Sequence, residues 1–284
     1  MTKRILVVLD PDHDTAVATR YAVEIAKAHD GAVTGLSLVD EKRIAAASKG
    51  SGIGGYAYAE RLRQNLEEEV RGEAQQLLQR FVEEVEAAGA RHTDDHIAEQ
   101  GDVVQAISED MKTHDLLVAG HESHFDYAHP ERRTHALADL VEKGAAATLV
   151  VESSYRPIRR VLLAYDGGIP AARAMQKFVH LSPFGRRLTV EVVHVRGSQE
   201  STRESDRHVH GAKAYLEAYG YADVVATSVE AGSARERILS HAAETEADLI
   251  VAGAYSASGL KKLFFGSTAK GLIEDSPVPL FLYH

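Results

Sequence analysis

Short runs of consecutive apolar residues recur along the chain, several of them ending on an acidic residue or a glycine. Arg4-Ile5-Leu6-Val7-Val8-Leu9-Asp10 is the first, and Arg160-Val161-Leu162-Leu163-Ala164-Tyr165-Asp166 repeats its pattern in the second half. A run that is apolar at every position, rather than at every second one, predicts a strand buried on both faces of a parallel sheet. After each Asp a turn leads into a helical pattern, Thr15 to His29 in one half and Ala171 to Leu181 in the other. Each helix is followed by a further apolar run, Ala32 to Val39 and Leu188 to Val195. The order is β-α-β, twice.

Later blocks match in the same way. Gly101-Asp102 and Gly232-Ser233 each precede a helical stretch, which suits a helix N-terminus. Asp115-Leu116-Leu117-Val118-Ala119-Gly120 pairs with Asp248-Leu249-Ile250-Val251-Ala252-Gly253, and Ala147 to Val151 pairs with Val278 to Leu282. Matched blocks in one order predict a duplication. The expected fold is α/β: two tandem doubly wound domains, residues 1–153 and 157–284, each a five-stranded parallel sheet flanked by helices. The boundary falls in the polar stretch from Glu152 to Pro157. Right-handed crossovers place a ligand at the carboxyl ends of the strands, near the switch point. The first half alone carries Gly50-Ser51-Gly52-Ile53-Gly54-Gly55, followed by a long charged helix from about Tyr58 to Ala88. With no preceding strand and no Lys-Ser/Thr, this stretch reads as a hinge or lid rather than a phosphate cradle.

Charge and composition narrow the function. A formal net charge of −10 over 284 residues argues against a general nucleic-acid binder, which needs a basic face. The absence of cysteine excludes disulfides, thiolate nucleophiles and cysteine metal sites. The apolar runs are far shorter than the roughly 18 residues of a membrane span, and Met1 to Leu9 is too short for a signal peptide. A cytoplasmic protein without a membrane or nucleic-acid partner is expected.

The chemistry concentrates after the fourth strand of the second half. Gly253 ends that strand, a small-residue loop carries Ser256, Lys261 and Lys262, and Gly266-Ser267-Thr268 opens a helix expected from about Ala269 to Glu274. Glycines admit close backbone approach, the helix N-terminus offers unpaired N–H groups, and Ser267 and Thr268 add hydroxyl donors. This is an anion site in design. The spacing resembles the G-x2-G-x9-G-[ST] loop of the universal stress protein family. Gly253 stands at the first glycine, Gly266 at the third and Ser267 at the terminal hydroxyl, while Ser256 replaces the second glycine. The resemblance covers nearly the whole chain, as two copies.

That resemblance implies a stress-response protein whose second domain binds an adenine nucleotide as a regulatory ligand. ATP is the first expectation, with or without Mg²⁺. It implies that Asp166, with Tyr165 beside it, meets the ribose, that the backbone near Val195 meets adenine, and that Lys261 and Lys262 neutralise phosphate charge. The rivals are a nucleotide-independent interaction module of the same fold, with a protein partner the sequence does not name, and an enzyme, either a weak ATPase or a metal-dependent hydrolase. No nucleophile elbow, Walker motif or His-Glu-x-x-His segment is present.

In the first half the loop is lost. Ser123 and Arg133 stand at the second and third glycine positions, so this half is not expected to bind ATP in the family manner. His121, Glu122, His124, Asp126, His129 and His135 crowd the same region in a spacing that matches no standard zinc pattern. A polar replacement loop is expected there, with a metal site as the alternative; His208 and His210 near Asp206 pose the same question. The last apolar run, Val278 to Tyr283, could pair with another copy in a homodimer or with its equivalent, Thr148 to Val151, within the chain.

Overall fold

The computed structural model describes residues 1–10, 14–40, 56–100, 102–121, 133–254 and 267–284. The first half runs β1 (Arg4–Leu9), α1 (Asp14–His29), β2 (Ala32–Asp40), α2 (Tyr56–Ala87), β3 (Arg91–His92), β4 (His96–Gln100), α3 (Val103–Met111), β5 (Leu116–Gly120), α4 (Arg133–Lys143) and β6 (Ala147–Val151). The second runs β7 (Arg160–Ala164), α5 (Ile169–Leu181), β8 (Thr189–Val195), α6 (Thr202–Ala218), β9 (Asp223–Val229), α7 (Ala234–Glu244), β10 (Leu249–Gly253), α8 (Ser267–Asp275) and β11 (Leu280–Tyr283).

Among the described residues these strands form one sheet, ordered β3-β2-β1-β5-β6-β11-β10-β7-β8-β9, with β4 also paired to β2. Within each half every pairing is parallel. The halves meet where β6 and β11 run antiparallel, with Leu280 opposite Val150 and Leu282 opposite Thr148. The final apolar run therefore pairs with its own equivalent inside the chain. One consequence is directional: the carboxyl ends of the two parallel sets point to opposite edges of the molecule.

The period of two along each buried strand divides the core. Ile5, Val7 and Leu9 join Val161 and Leu163 on one face, under residues of α1, α2, α5 and α6 such as Tyr21, Phe81, Phe178 and Val209. Leu6 and Val8 join Leu162 and Ile250 on the other, under Ile107 of α3, Leu137 of α4, Ile238 of α7 and Leu272 of α8. Both clusters draw residues from both halves, so the seam is core rather than cleft.

The duplication extends to individual hydrogen bonds. Asp115 Oδ2 accepts the backbone N–H groups of Lys3 and Arg4, and Asp248 Oδ2 accepts those of Arg159 and Arg160. The two helix starts marked by Gly-Asp and Gly-Ser are capped as their residues suggest: Asp102 accepts from the Gln105 N–H and Ser233 from that of Glu236. The connecting segment is fastened to α1. The Tyr21 hydroxyl donates to the Arg156 carbonyl (2.7 Å), and Tyr155 donates to Glu24 (2.7 Å) beneath the Arg20 guanidinium. The third strand of the first half is divided, β3 and β4 flanking a turn in which Asp94 takes φ 58°.

Candidate nucleotide site at the carboxyl ends of the second sheet

In the second half β7 lies between β8 and β10, so the chain leaves β7 toward one side and returns on the other. This is the switch point of a doubly wound sheet, where the strand ends part and leave a crevice. A cavity of about 130 Å³ sits there. Three strand ends wall it: Ala164 at the end of β7 with Tyr165 after it, Val193 and Val195 on β8, Ala252 and Gly253 on β10. Three helix starts close it: Ala171 of α5, Ala234 with Ile238 of α7, and Thr268 with Ala269 of α8. The lining is mostly apolar and small, suited to a flat ring. The helix starts contribute N–H groups without intrahelical partners and the positive ends of three dipoles.

Of the residues singled out in the sequence, Tyr165, Asp166, Val195, Gly253 and Thr268 line this one cavity. Ser267 opens α8 and is exposed beside it. Ser256, Lys261, Lys262 and Gly266 lie outside the described residues. Asp166 is exposed at the cavity edge, and its Oδ1 accepts the Gly168 N–H at 2.8 Å. Burial, with the Asp166 charge next to it, pushes the Tyr165 phenol above its ordinary range. Gly253 has a packing reason of its own: a Cβ there would lie 2.6 Å from the Ala171 nitrogen and 2.6 Å from the Pro170 carbonyl carbon. The missing side chain lets the first turn of α5 close onto β10.

Behind the cavity lies a polar network that the apolar pattern of β8 conceals. His194 is buried; its Nδ1 donates to the Tyr165 carbonyl (2.9 Å) and its Nε2 lies 2.8 Å from the Glu200 carboxylate. Glu200 also accepts the Gly197 N–H (2.9 Å), and His208 packs against the His194 ring, its Nε2 3.9 Å from Glu200. Burial pushes the Glu200 carboxyl up, but the Gly197 N–H and the two histidines outweigh it and hold the group below the usual range. His208 also fills the space beside Gly167, which takes φ 77°; a Cβ there would lie 2.3 Å from the ring. The loop after β7 is thus held from its buried side. A histidine inside a strand, six residues before a glutamate, is the sequence signal for this network.

The first half is built differently at the equivalent point. Asp10 is buried, and the Thr15 hydroxyl both accepts its N–H and donates to its carbonyl. Of the histidine-rich loop, His121 is described; its Nε2 reaches the Ile273 carbonyl of α8, in the other half, at 2.5 Å. Among the described residues no group of three or more His, Asp or Glu could hold a metal ion. Glu122, His124, Asp126 and His129 lie outside them. No helix among them is long and apolar enough to cross a membrane.

The universal stress protein family model matches residues 1–126 and again 157–284. The chain belongs to the universal stress protein family. Universal stress protein Slr1230 of Synechocystis is 27% identical over 135 residues, a match covering 48% of this chain and 46% of that protein, so the chain spans about half the length of this curated relative. A universal stress protein from Archaeoglobus fulgidus superposes over 99% of this chain and 95% of its own, with a TM-score of 0.69 at 19% identity. A Pseudomonas aeruginosa structure described as functionally unknown covers 99% and 92%, with a TM-score of 0.62 at 17% identity. At these identities the solved structures support the fold of this universal stress protein across both halves.

Proposed function

We propose that this universal stress protein binds one adenine nucleotide, ATP first, as a regulatory ligand in its second half, residues 157–284, and none in residues 1–153. The observation that carries the reading is convergence: Tyr165, Asp166, Val195, Gly253 and Thr268, from separate stretches of sequence, line one cavity. Adenine fits the apolar wall between Val193, Val195 and Ile238. The ribose lies toward Asp166, and phosphates run toward the α8 N-terminus, where Ser267 and Thr268 supply donors; the family loop pattern adds Ser256, Lys261 and Gly266 to the phosphate contacts on sequence grounds alone. In the first half the counterpart aspartate is buried and tied to Thr15, which supports single-site binding. The role is that of a cytoplasmic sensor whose ligand changes a surface read by a protein partner.

Calorimetric titration with ATP tests this, in Mg²⁺ and in EDTA, beside Asp166→Ala and Gly266→Asp variants. The expected result is a stoichiometry of one and a loss of at least about ten-fold in affinity in each variant. Absence of binding to ATP, ADP and AMP in the unaltered protein leaves the nucleotide-independent interaction module as the account of this fold.

A further inference from the structure

Helix α8 opens on the cavity at Thr268 and Ala269 and ends at Asp275. Its last carbonyls need donors from outside the helix. Leu272 receives one from the Ser276 N–H at 2.9 Å. Ile273 would receive one from residue 277 if the helix continued, but that residue is Pro277, which has no N–H to give. The missing donor comes from the other half. His121 stands immediately after β5, its Nδ1 faces the Glu152 carboxylate at 4.0 Å, and its Nε2 lies 2.5 Å from the Ile273 carbonyl. A carbonyl only accepts, so Nε2 carries the proton in this contact.

The position is informative. His121 and Ala254 are structural equivalents, because each gives its backbone N–H to the end of the neighbouring last strand, to Val151 and to Tyr283. The half with the intact cavity carries a buried alanine there, and the half without the glycine loop carries the histidine. The other side of α8 is held by α7. Arg235 pairs with Asp275, and its Cδ would lie 2.3 Å from a Cβ on Gly271, so any larger residue there would displace the Arg235 side chain. Two clamps therefore fix the C-terminal part of a nine-residue helix whose first turn lines the cavity.

We propose that His121 is a positioning residue for the site in the second half: the first half caps α8 in trans and thereby sets the placement of the phosphate-facing helix end. The effect on affinity rests on the nucleotide reading above, whereas the effect on α8 does not. The proposal gives the degenerate half a task that a ligand-binding half could not share, since the cap uses the position where its own glycine loop would begin.

The test uses the full chain with His121→Leu, which keeps bulk without a donor, and His121→Gln, which restores an N–H of similar reach. Hydrogen exchange of the peptide spanning residues 267–275 is measured without ligand, and ATP affinity is measured by calorimetry. The Leu variant is expected to exchange roughly five-fold faster in α8, with α5 unchanged, and to bind ATP more weakly by a similar factor. The Gln variant is expected to recover most of both. Unchanged α8 exchange in the Leu variant, or a Gln variant no better than Leu, overturns the proposal. Faster exchange with unaltered ATP affinity overturns the coupling to the site. If the unaltered protein does not bind ATP, the nucleotide reading falls and the exchange comparison alone decides whether His121 positions α8.

Discussion

The ring of His194 donates to the carbonyl of Tyr165 at 2.9 Å, so the strand end that walls the cavity is fixed by a buried side chain of the neighbouring strand. The opposite ring nitrogen is taken by Glu200, whose side chain is 15% exposed against 4% for His194. Removing the imidazole leaves the Tyr165 carbonyl and the Glu200 carboxylate without their shared partner in a largely buried space. His194→Ala is expected to cost about 3 kcal/mol of stability, at the upper end for a single buried polar partner. Urea unfolding reads this as a lower midpoint with an unaltered slope. A loss below about 0.5 kcal/mol would mean that water replaces the ring and that the network does not brace the loop.

Gly253 makes a second, independent test. Because its absent Cβ would fall 2.6 Å from backbone atoms of Pro170 and Ala171, Gly253→Ala must push α5 away from β10. Backbone cannot rotate aside as a side chain can, so the cost expected is about 1–3 kcal/mol, typical of overpacking. Ala171 and Gly253 both line the cavity, so ligand affinity is expected to fall with stability. Thermal melting with and without ATP separates the effects: a variant as stable as its parent that merely binds less would place the glycine's role at the ligand instead.

Much of this was legible before any coordinates. The strands declared themselves because a parallel sheet covered on both faces tolerates no polar alternation, so Ile5 to Leu9 and Val161 to Leu163 read directly as central strands. The caps at Asp102 and Ser233 were visible because a short acceptor side chain before a helix has few other uses. The division of β3 from β4 was not visible. Arg91 to His96 is polar throughout, and its pairing is decided by tertiary partners, the Asp95 carboxylate accepting the Gly35 N–H among them. Around the cavity, Tyr165, Asp166, Val195, Gly253 and Thr268 had been singled out from the sequence, whereas Ala171, Ala234 and Ile238 had not. They are ordinary apolar residues near helix starts, made into walls only by the sheet's switch point. His121 was singled out only as part of a polar, histidine-rich loop, and nothing in the sequence pointed to its partner in space, a carbonyl some 150 residues away.

Two histidines of the first half bend the stability curve in opposite senses. The Asp95 carboxylate holds the His92 imidazolium and raises its pKa above the ordinary 6.5. The folded state then binds the proton more tightly than the unfolded one, so this contribution is fully present below 6.5 and is lost as pH rises through the raised value. His114 is the reverse. Burial, helped by the Arg4 charge, pushes its pKa below 6.5 against the opposing bond to the Asp110 carbonyl. Here the unfolded state binds more protons, so stability is present above 6.5 and falls as pH drops toward the lowered value. Urea midpoints between pH 5 and 8 are expected to lose their acid-side fall in His114→Gln and their alkaline-side fall in His92→Gln. A curve left unaltered by either variant would remove that histidine from the account.

The seam between the halves offers a gain rather than a loss. Thr148 lies on β6 opposite Leu282 of β11, fully buried, and its hydroxyl has no hydrogen-bond partner among the described residues. A buried donor without an acceptor keeps its desolvation cost and returns nothing. Valine has nearly the same shape and is β-branched, so the strand accepts it without a change of rotamer. Thr148→Val is therefore expected to stabilise the protein by about 1 kcal/mol, seen as a higher urea midpoint. Because β6 and β11 join the halves and both core clusters run across that seam, the gain should appear in a single cooperative transition. A destabilised variant would show that the hydroxyl is satisfied in solution by water or by a neighbour that moves. Two separate transitions would show that the halves unfold independently and that the seam is weaker than its burial implies.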